Sequence, residues 1–464
     1  MATIAAGHAL LYKRDHRSAF GWIAVCILFP VMGPLLYYVF GINRVQARAH
    51  DLARRSFWSL SVPHERGEAP PVRERSVASL HLNPAQAQLA NISDAVSPSN
   101  LSLGNEVVLL RNGDDAFPRM LAAIERARHS IVLMTYILYS DTVGRRFVAA
   151  LAQAAERGVA VYVILDGVGE FYAWPWPSRL LRNTAVKVSL FLPPRILPPS
   201  LTINLRNHRK LLVVDGDTAF TGGLNLGTRF CLEQSPVNRA VQDLHFEVTG
   251  PVVRDLTREF CNTWDFLTGS ELQLPSNPGI EGNAICRMLV DGPDENMDRL
   301  ELVLIGAITA ARLTVDIMTP YFLPSRDMLA ALKSAALKGV RVRIVLPARS
   351  NLRFVDWATR NLLWELLQWG VQVYYQPLPF AHTKLFTVDG HYSIVGSANL
   401  DPRSLRLNFE LCLEVFDHGL AAELGDHVDS ALAVSRPVTL TEVEQRPVLA
   451  RLRDAFFWLF SPYL

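Results

Sequence analysis

Residues 207–225, NHRKLLVVDGDTAFTGGLN, have a near-copy at 381–399, AHTKLFTVDGHYSIVGSAN. Each copy reads His, any residue, Lys, four residues, Asp, then a pair of small residues and an Asn. The first supplies His208, Lys210, Asp215, Gly222, Gly223 and Asn225; the second supplies His382, Lys384, Asp389, Gly396, Ser397 and Asn399. The spacing between copies is a constant 174 positions, from 208 to 382 and from 225 to 399. A single short motif arises by chance; two with the same apolar filling mark an internal duplication.

On a strand, residues two apart share a face, so His208 projects with Lys210, and His382 with Lys384. Each pair enters an apolar run, LLVV or LFTV. An imidazole beside a fixed cation suits a phosphodiester: the ring attacks phosphorus while the ammonium neutralises the nonbridging oxygens. Two copies supply two histidines, one to attack and one to protonate the leaving alkoxide, with acid and base roles exchanged in a second half-reaction. The small pairs predict close approach of backbone to the anion, and Asn225 and Asn399 offer side-chain donors to it. No His-x-x-x-His, carboxylate pair or Cys/His cluster accompanies either motif. The sequence therefore predicts no metal and no cofactor, with Lys210 and Lys384 supplying the electrostatics.

The duplication extends outward on both sides. A helix over 116–128, a strand over 130–138, a helix over 142–157 closed by Gly158 and a strand over 159–166 are predicted in the first half. The same series is predicted at 305–312, 313–318, 326–338 and 340–346, and LMTYIL at 133–138 is echoed by IMTPYFL at 317–323. Downstream of each Asn, Asp243 and Glu410 occupy similar points in DLHFEV and ELCLEV. Alternating strands and helices with apolar strands predict an α/β fold, its strands buried on both faces.

Residues 18–43 carry no charge, and Lys13, Arg14, Arg17, Arg44 and Arg48 flank them. At a rise of about 1.5 Å per residue the run is long enough to span a bilayer, with Trp22, Tyr37 and Tyr38 at interfacial positions. Pro30, Gly33 and Pro34 predict a kink, or a re-entrant hairpin in place of a single span. The expected organisation is a membrane anchor over 1–60, its apolar span at about 18–43, and a linker over 61–104 with one short helix. The excess of arginines after the run places the bulk of the chain on the cytoplasmic side. Net charge is only +2, so no field over the whole molecule draws it to nucleic acid, which speaks against a nuclease. The aromatic loop EFYAWPWP at 170–177 reads either as a bilayer-dipping or acyl-lining loop or as a packed cluster. The C-terminal RLRDAFFWLFSPYL reads as an interfacial helix or a last core helix.

These motifs resemble the phospholipase D superfamily, and the wording around them resembles its bacterial cardiolipin synthase branch. NHRKLLVVDG with TGGLN, GPVVRDLTREFCNTW, and HTKLFTVDG with GSANLDPRSLRLNFE carry the likeness from about residue 105 onward; FGINRVQARA is similar to that branch's membrane anchor. The resemblance implies a duplicated phospholipase D-like α/β/α sandwich with pseudo-two-fold symmetry. Its repeats would lie at 105–270 and 283–464, the second ending in the C-terminal segment, with one active site at the seam. His208 would form the phosphohistidine and His382 would act as acid and then base, an assignment that the near symmetry allows to be reversed. Lys210, Lys384, Asn225 and Asn399 would hold phosphate, and Asp243 and Glu410 would orient the histidines. Asp215 and Asp389 complete the catalytic motif, supporting backbone more than touching substrate.

Two departures stand out. Val241-Gln242 replaces the Trp-Arg that often precedes the first orienting acid, and residues 1–11 are too short for the first of the two apolar spans common in the branch. The implied activity is transfer of a phosphatidyl group between two phosphatidylglycerol molecules, giving cardiolipin and glycerol. It would take place on the lipid bilayer of the bacterial inner membrane, with no nucleic-acid partner. The alternatives are a phospholipase D that uses water or another alcohol, a nuclease of the same superfamily, and a membrane scaffold without chemistry.

Overall fold

The computed structural model describes residues 1–13, 16–41, 82, 84–194, 205–276, 278–293 and 297–461. The chain divides into two compact units, 1–55 and 56–464.

In the first unit, helix α1 (Ala2–Tyr12) packs on α2 (His16–Leu28), and a short α3 (Met32–Leu36) follows. Ala9, Cys26 and Tyr37 form a small core, and His8 Nδ1 lies 2.8 Å from the Tyr37 hydroxyl. Pro30 lacks an N–H and its ring displaces the preceding turn, so α2 ends before it. Gly33 then lies so close to α2 that a Cβ there would sit 2.3 Å from the Val25 carbonyl oxygen. Over residues 18–41 of the span expected at about 18–43 the chain is divided into α2 and α3, and no described helix is long and apolar enough to cross a membrane. Residues 1–11, read as too short for a span, form a helix nonetheless. Arg14, the rest of the anchor and the linker up to residue 81 lie outside the described residues.

The second unit repeats one layout. The first half contains β1 (Ser102–Arg111), β2 (Ser130–Thr135), β3 (Ala160–Asp166), β4 (Lys187–Phe191), β5 (Arg206–Asn207), β6 (Leu211–Val214), β7 (Thr218–Gly222), β8 (Val241–Gln242) and β9 (Leu244–Thr249). The second contains β10 (Ala284–Asp291), β11 (Thr314–Met318), β12 (Arg341–Pro347), β13 (Gln372–Gln376), β14 (Phe380–Ala381), β15 (Leu385–Val388), β16 (Tyr392–Gly396), β17 (Asn408–Phe416) and an edge strand β18 (Arg436–Pro437). Strand order is β1-β9-β7-β6-β2-β3-β4 in one half and β10-β17-β16-β15-β11-β12-β13 in the other. The lists match position by position. The halves join where β1 pairs antiparallel with β10, the relation that a two-fold axis gives.

Helix α4 (Pro84–Val96) precedes β1. Helices α5 (Asn112–Arg126) and α6 (Thr142–Glu156) pack on Ile131, Leu133, Val161 and Val163, one face of the first sheet. Alternate residues Val132, Met134 and Ile164 are buried on the other face, which α7 (Val252–Thr268) crosses. Their counterparts are α8 (Arg299–Ala310), α9 (Arg326–Leu337) and α11 (His418–Val434), while α10 (Arg353–Leu367) precedes β13. Caps set the boundaries in both halves. Asp141 and Ser325 accept from the N–H groups of Gly144 and Met328, and Gly158 and Gly339 end their helices at φ +91° and +89°. The last helix, α12 (Val448–Trp458), presses Phe457 against Trp357 of α10 and buries Asp454 between Arg446 and Arg453. Its opposite face leaves Leu449, Leu452, Phe456 and Leu459 exposed, so it is a packed helix with an apolar outer stripe.

The stretch read as a linker over 61–104 includes α4, which is part of the core. Its polar composition conceals one apolar stripe, Leu89 and Ala90, buried against the second half. A buried polar network fixes it there. Ser93 Oγ donates to Glu414 Oε1 at 2.5 Å, Tyr392 donates to the same oxygen at 2.8 Å, and fully buried Arg287 reaches both Glu414 and Asp94. Removing one member of such a network strands a buried charge, at a cost of about 3–5 kcal/mol. Arg287→Met is therefore expected to lower unfolding stability by about that amount in a denaturant titration, and Arg287→Met with Glu414→Leu to recover most of the loss.

Candidate active site

Each His-x-Lys segment runs from a two-residue strand into an apolar strand: β5 into β6, and β14 into β15. Both two-residue strands pair with the opposite half. Arg206 and Asn207 lie beside Asn408 and Phe409, and Phe380 and Ala381 lie beside Val241 and Gln242. The His208 N–H donates to Phe409 O at 3.0 Å, and the His382 N–H donates to Gln242 O at 2.8 Å. The histidines are thus held by backbone at the seam. Val241-Gln242, which departs from the family wording, provides this second pairing, and Gln376 Nε2 ties Gln242 down at 2.9 Å.

The orienting acids act across the seam. His208 Nδ1 is 2.9 Å from Glu410 Oε2, and His382 Nδ1 is 2.6 Å from Asp243 Oδ2. Each acid engages the Nδ1 of the other half's histidine, and Lys384 Nζ lies 2.7 Å from His382 Nδ1 and 3.2 Å from its Nε2. Lys210 Nζ donates to His208 O at 2.6 Å, and Lys384 Nζ donates to His382 O and lies 3.5 Å from Asp243. His208, Lys210, Asp243, Lys384 and Glu410 are buried, and His382 is nearly so, its side chain 12% exposed.

Burial sets the charge states. It pushes the His208 imidazole below its ordinary value, with Glu410 partly offsetting the effect. Burial, and then Lys384, pulls His382 down to about 3, so in the empty site both rings are neutral near pH 7. Burial also brings Lys210 down to about 7 and lowers Lys384. Burial pushes the two carboxyls upward, but Lys384 and His382 at Asp243, and His208 and Lys210 at Glu410, outweigh it and hold both below the ordinary range. The site therefore presents two neutral imidazoles, two anions and two lysines whose positive charge a phosphate would reinforce.

The remaining motif residues separate by role. Asp215 and Asp389, counted with the catalytic motif, lie at the far ends of β6 and β15. Asp215 accepts backbone N–H groups of Arg128, His129 and Ser130, and Asp389 those of Arg312, Leu313 and Thr314. They hold the entry to β2 and β11. The small pairs, expected to approach the anion, serve the orienting acids. A Cβ on Gly223 would lie 2.2 Å from Asp243 Oδ1, and Ser397 Oγ donates to Glu410 Oε2 at 2.5 Å. Asn225 spends its oxygen on the Ile137 N–H at 3.2 Å, leaving its amide nitrogen as a donor, whereas Asn399 Nδ2 donates to Ser404 Oγ at 3.1 Å.

Four site residues received no role from the motifs. Tyr136 packs edge-on to His208 with ring centres 5.2 Å apart, and Lys210 Nζ lies 5.7 Å from its ring; Tyr321 stands 6.3 Å from His382. Both tyrosines belong to the repeated LMTY and IMTPY wording, the signal that could have found them. Asn408 Nδ2 donates to Glu410 Oε1 at 3.1 Å, two residues along the same strand face. Arg209, between His208 and Lys210, is fully buried on Glu259 at 2.6 Å. The aromatic loop adjoins the site, because Tyr172 lies 6.2 Å from Tyr136. Its Trp174 is 73% exposed, and Arg179 stacks over Trp176 at 4.4 Å.

Comparison with known proteins agrees with this geometry. The model of the cardiolipin synthase, phospholipase D-like domain matches residues 120–264 and 304–432, more than half of the chain, and a phospholipase D-nuclease N-terminal model matches 1–41. A cardiolipin synthase of Geobacillus kaustophilus is 32% identical over 98% of this chain and 90% of its own length. Cardiolipin synthase A of Pseudomonas fluorescens is 33% identical over 100% and 96%. Among solved structures, a phosphatidylserine synthase of Haemophilus influenzae shares the fold with a TM-score of 0.62 at 16% identity, covering 82% of this chain and all of that one. With two seam-crossing His–acid pairs on a duplicated sheet, and relatives aligned end to end, the chain belongs to the cardiolipin synthase family of the phospholipase D superfamily.

Proposed function

We propose that this protein is a cardiolipin synthase acting on phosphatidylglycerol. The pair of neutral imidazoles, each backed by a buried carboxylate from the opposite half, carries the reading. His208 Nε2 attacks the donor's phosphorus while His382 delivers a proton to the departing glycerol. Neutral in the empty site, His382 gains that proton once the phosphodiester has drawn positive charge into the cradle. Lys210, Lys384 and the amide of Asn225 hold the nonbridging oxygens. His382, now neutral, then takes the proton from the hydroxyl of a second phosphatidylglycerol as its oxygen bonds to phosphorus and the P–N bond breaks. Names of relatives at about a third identity over the whole chain support this choice of product.

Membrane placement has its own support. In the N-terminal unit Leu11, Phe20, Leu28 and Val31 are each more than 70% exposed, and the aromatic loop beside His208 exposes Phe171, Tyr172 and Trp174. Side chains of this kind reside at the lipid interface, so the reading places the enzyme at the bacterial inner membrane with its catalytic unit cytoplasmic.

Mass spectrometry of the lipids formed by the full-length, detergent-solubilised protein from phosphatidylglycerol tests the activity. Cardiolipin and free glycerol are expected, falling about 10³-fold or more in His208→Ala. Phosphatidic acid alone would make the protein a hydrolase. With a donor whose leaving group needs no proton, acid-quenched His382→Ala should still accumulate labelled phosphohistidine, whereas label on the His208→Ala protein would reverse the two roles. The charge on Lys210 is present below about pH 7 and lost above it in the free enzyme. We accordingly expect kcat/KM to fall as pH rises through that value, and Lys210→Arg, always charged, to move this alkaline limb upward.

A further inference from the structure

The acceptor in the proposed reaction carries a phosphodiester of its own, three carbons from the hydroxyl that attacks. The catalytic cradle is occupied at that moment by the phosphatidyl group, so the spectator phosphate needs other cations.

We propose that Arg206 and Arg403 form a second anion subsite at the mouth of the cradle, holding the acceptor's phosphodiester while its terminal hydroxyl reaches phosphorus. This role rests on the reading of the protein as a transferase to phosphatidylglycerol. Arg206 precedes His208 by two residues on the segment that runs alongside Asn408 and Phe409. It is only 9% exposed, yet its side chain's one hydrogen bond among the described residues is from Nη1 to the adjacent Leu205 carbonyl at 3.1 Å. It makes no ion pair among the described residues. Asp166 lies within its electrostatic range, but that carboxylate is engaged by the N–H groups of Val168, Gly169 and Asn207. The neighbouring cation is Arg403, half-buried and likewise without an ion pair among the described residues; the two guanidiniums repel each other. Holding a desolvated guanidinium with spare donors beside another cation is costly, and an oxyanion relieves the cost with matched geometry. Tyr136 and Tyr172 also lie within range of Arg206, and Tyr136 packs on His208, so the subsite adjoins the reacting centre.

The duplication supplies an internal control. Arg403 has a counterpart in Arg229, each four residues after the motif asparagine, but the counterpart of Arg206 is Phe380, whose ring centre is 5.7 Å from that of His382. Asp166, the last residue of β3, is matched by Pro347, the last of β12. Among the described residues, these matched positions hold a pair of arginines on the His208 side alone. A nearly symmetric fold has thus been made unsymmetric in charge, as a reaction with one reacting and one spectator phosphate requires.

The step involves no outside reagent: the acceptor hydroxyl yields its proton to the basic histidine, its oxygen bonds to phosphorus, and the P–N bond breaks. The test uses full-length enzyme in mixed micelles with a donor phosphatidylglycerol that carries one isotope in its acyl chains and another in its head-group glycerol, so that each product keeps the first and loses the second. It compares three acceptors: unlabelled phosphatidylglycerol, glycerol, which has no phosphate, and water. In Arg206→Ala and Arg403→Ala, cardiolipin formation should fall roughly 10- to 100-fold relative to glycerol exchange, the loss expected for charge-assisted hydrogen bonds, and product should shift to phosphatidic acid. Arg206→Lys should recover part of the cardiolipin. Should Arg206→Ala fail to fold, as judged by its thermal melt, half-buried Arg403 carries the comparison. A parallel fall in transfer to phosphatidylglycerol and to glycerol would overturn the proposal, as would an equal shift in Arg229→Ala. Wild-type enzyme that forms no cardiolipin would instead remove the transferase reading on which the subsite rests.

Discussion

Two hydrogen bonds cross the seam, His208 to Glu410 and His382 to Asp243, and the rest of the molecule is arranged to keep them short. Neither half alone has a complete His–acid pair. The β1–β10 pairing joins the sheets, and the small β5–β17 and β8–β14 ladders then fix the histidine backbones against the opposite half. A slip of one residue in either ladder would turn a histidine to the wrong face, because side chains alternate along extended chain. Duplication is therefore a functional requirement: it creates the interface in which the chemistry resides.

The same seam explains how six ionisable groups coexist in a dry space. Burial depresses the cations and imidazoles and raises the carboxyls; mutual attraction opposes the shift throughout and outweighs it only for the carboxylates, which stay ionised. The lysines and histidines lie below their ordinary values. In the proposed reaction an arriving phosphodiester reverses the balance, favouring protonation of the groups assigned to hold it or to protonate its leaving group. Substrate binding and charging of the acid are in this sense one event. The backbone-saturated Asp215 and Asp389 contribute from outside by locking the turn that precedes the first parallel strand of each half.

Much of this was legible in the sequence because the signals were periodic. Repetition at constant spacing revealed the halves, glycines after amphipathic runs marked the ends of α6 and α9, and the His-x-Lys alternation placed each lysine beside its histidine. What was not legible depended on contacts far apart in the chain. Which acid serves which histidine is decided by the seam, and no local pattern encodes the crossing. Helix α4 was legible only as a short helix within a linker, because Leu89 and Ala90 are its only fully buried apolar residues and its anchor, Arg287, lies almost two hundred positions later. The uncharged N-terminal run had the length of a span, but Pro30 and the tight packing at Gly33 divide it into shorter helices. The small pairs carry a second role for a related reason: the strands that carry the acids pack directly on Gly223 and Ser397.

Where the halves differ, the differences collect around the two histidines. Ser397 gives Glu410 a hydroxyl donor, whereas Gly223 at the same position leaves room for the Asp243 carboxylate and nothing else. Arg209 is buried on Glu259, while Thr383 fills its place in the other copy. Arg206 faces Phe380 across the duplication. The sheets themselves match strand for strand, so selection has left the scaffold alike and altered the lining. The proposed two-step transfer gives a physical reason: one ring bonds to phosphorus and leaves it while the other gives and then takes a proton, and an unsymmetric lining suits two different roles.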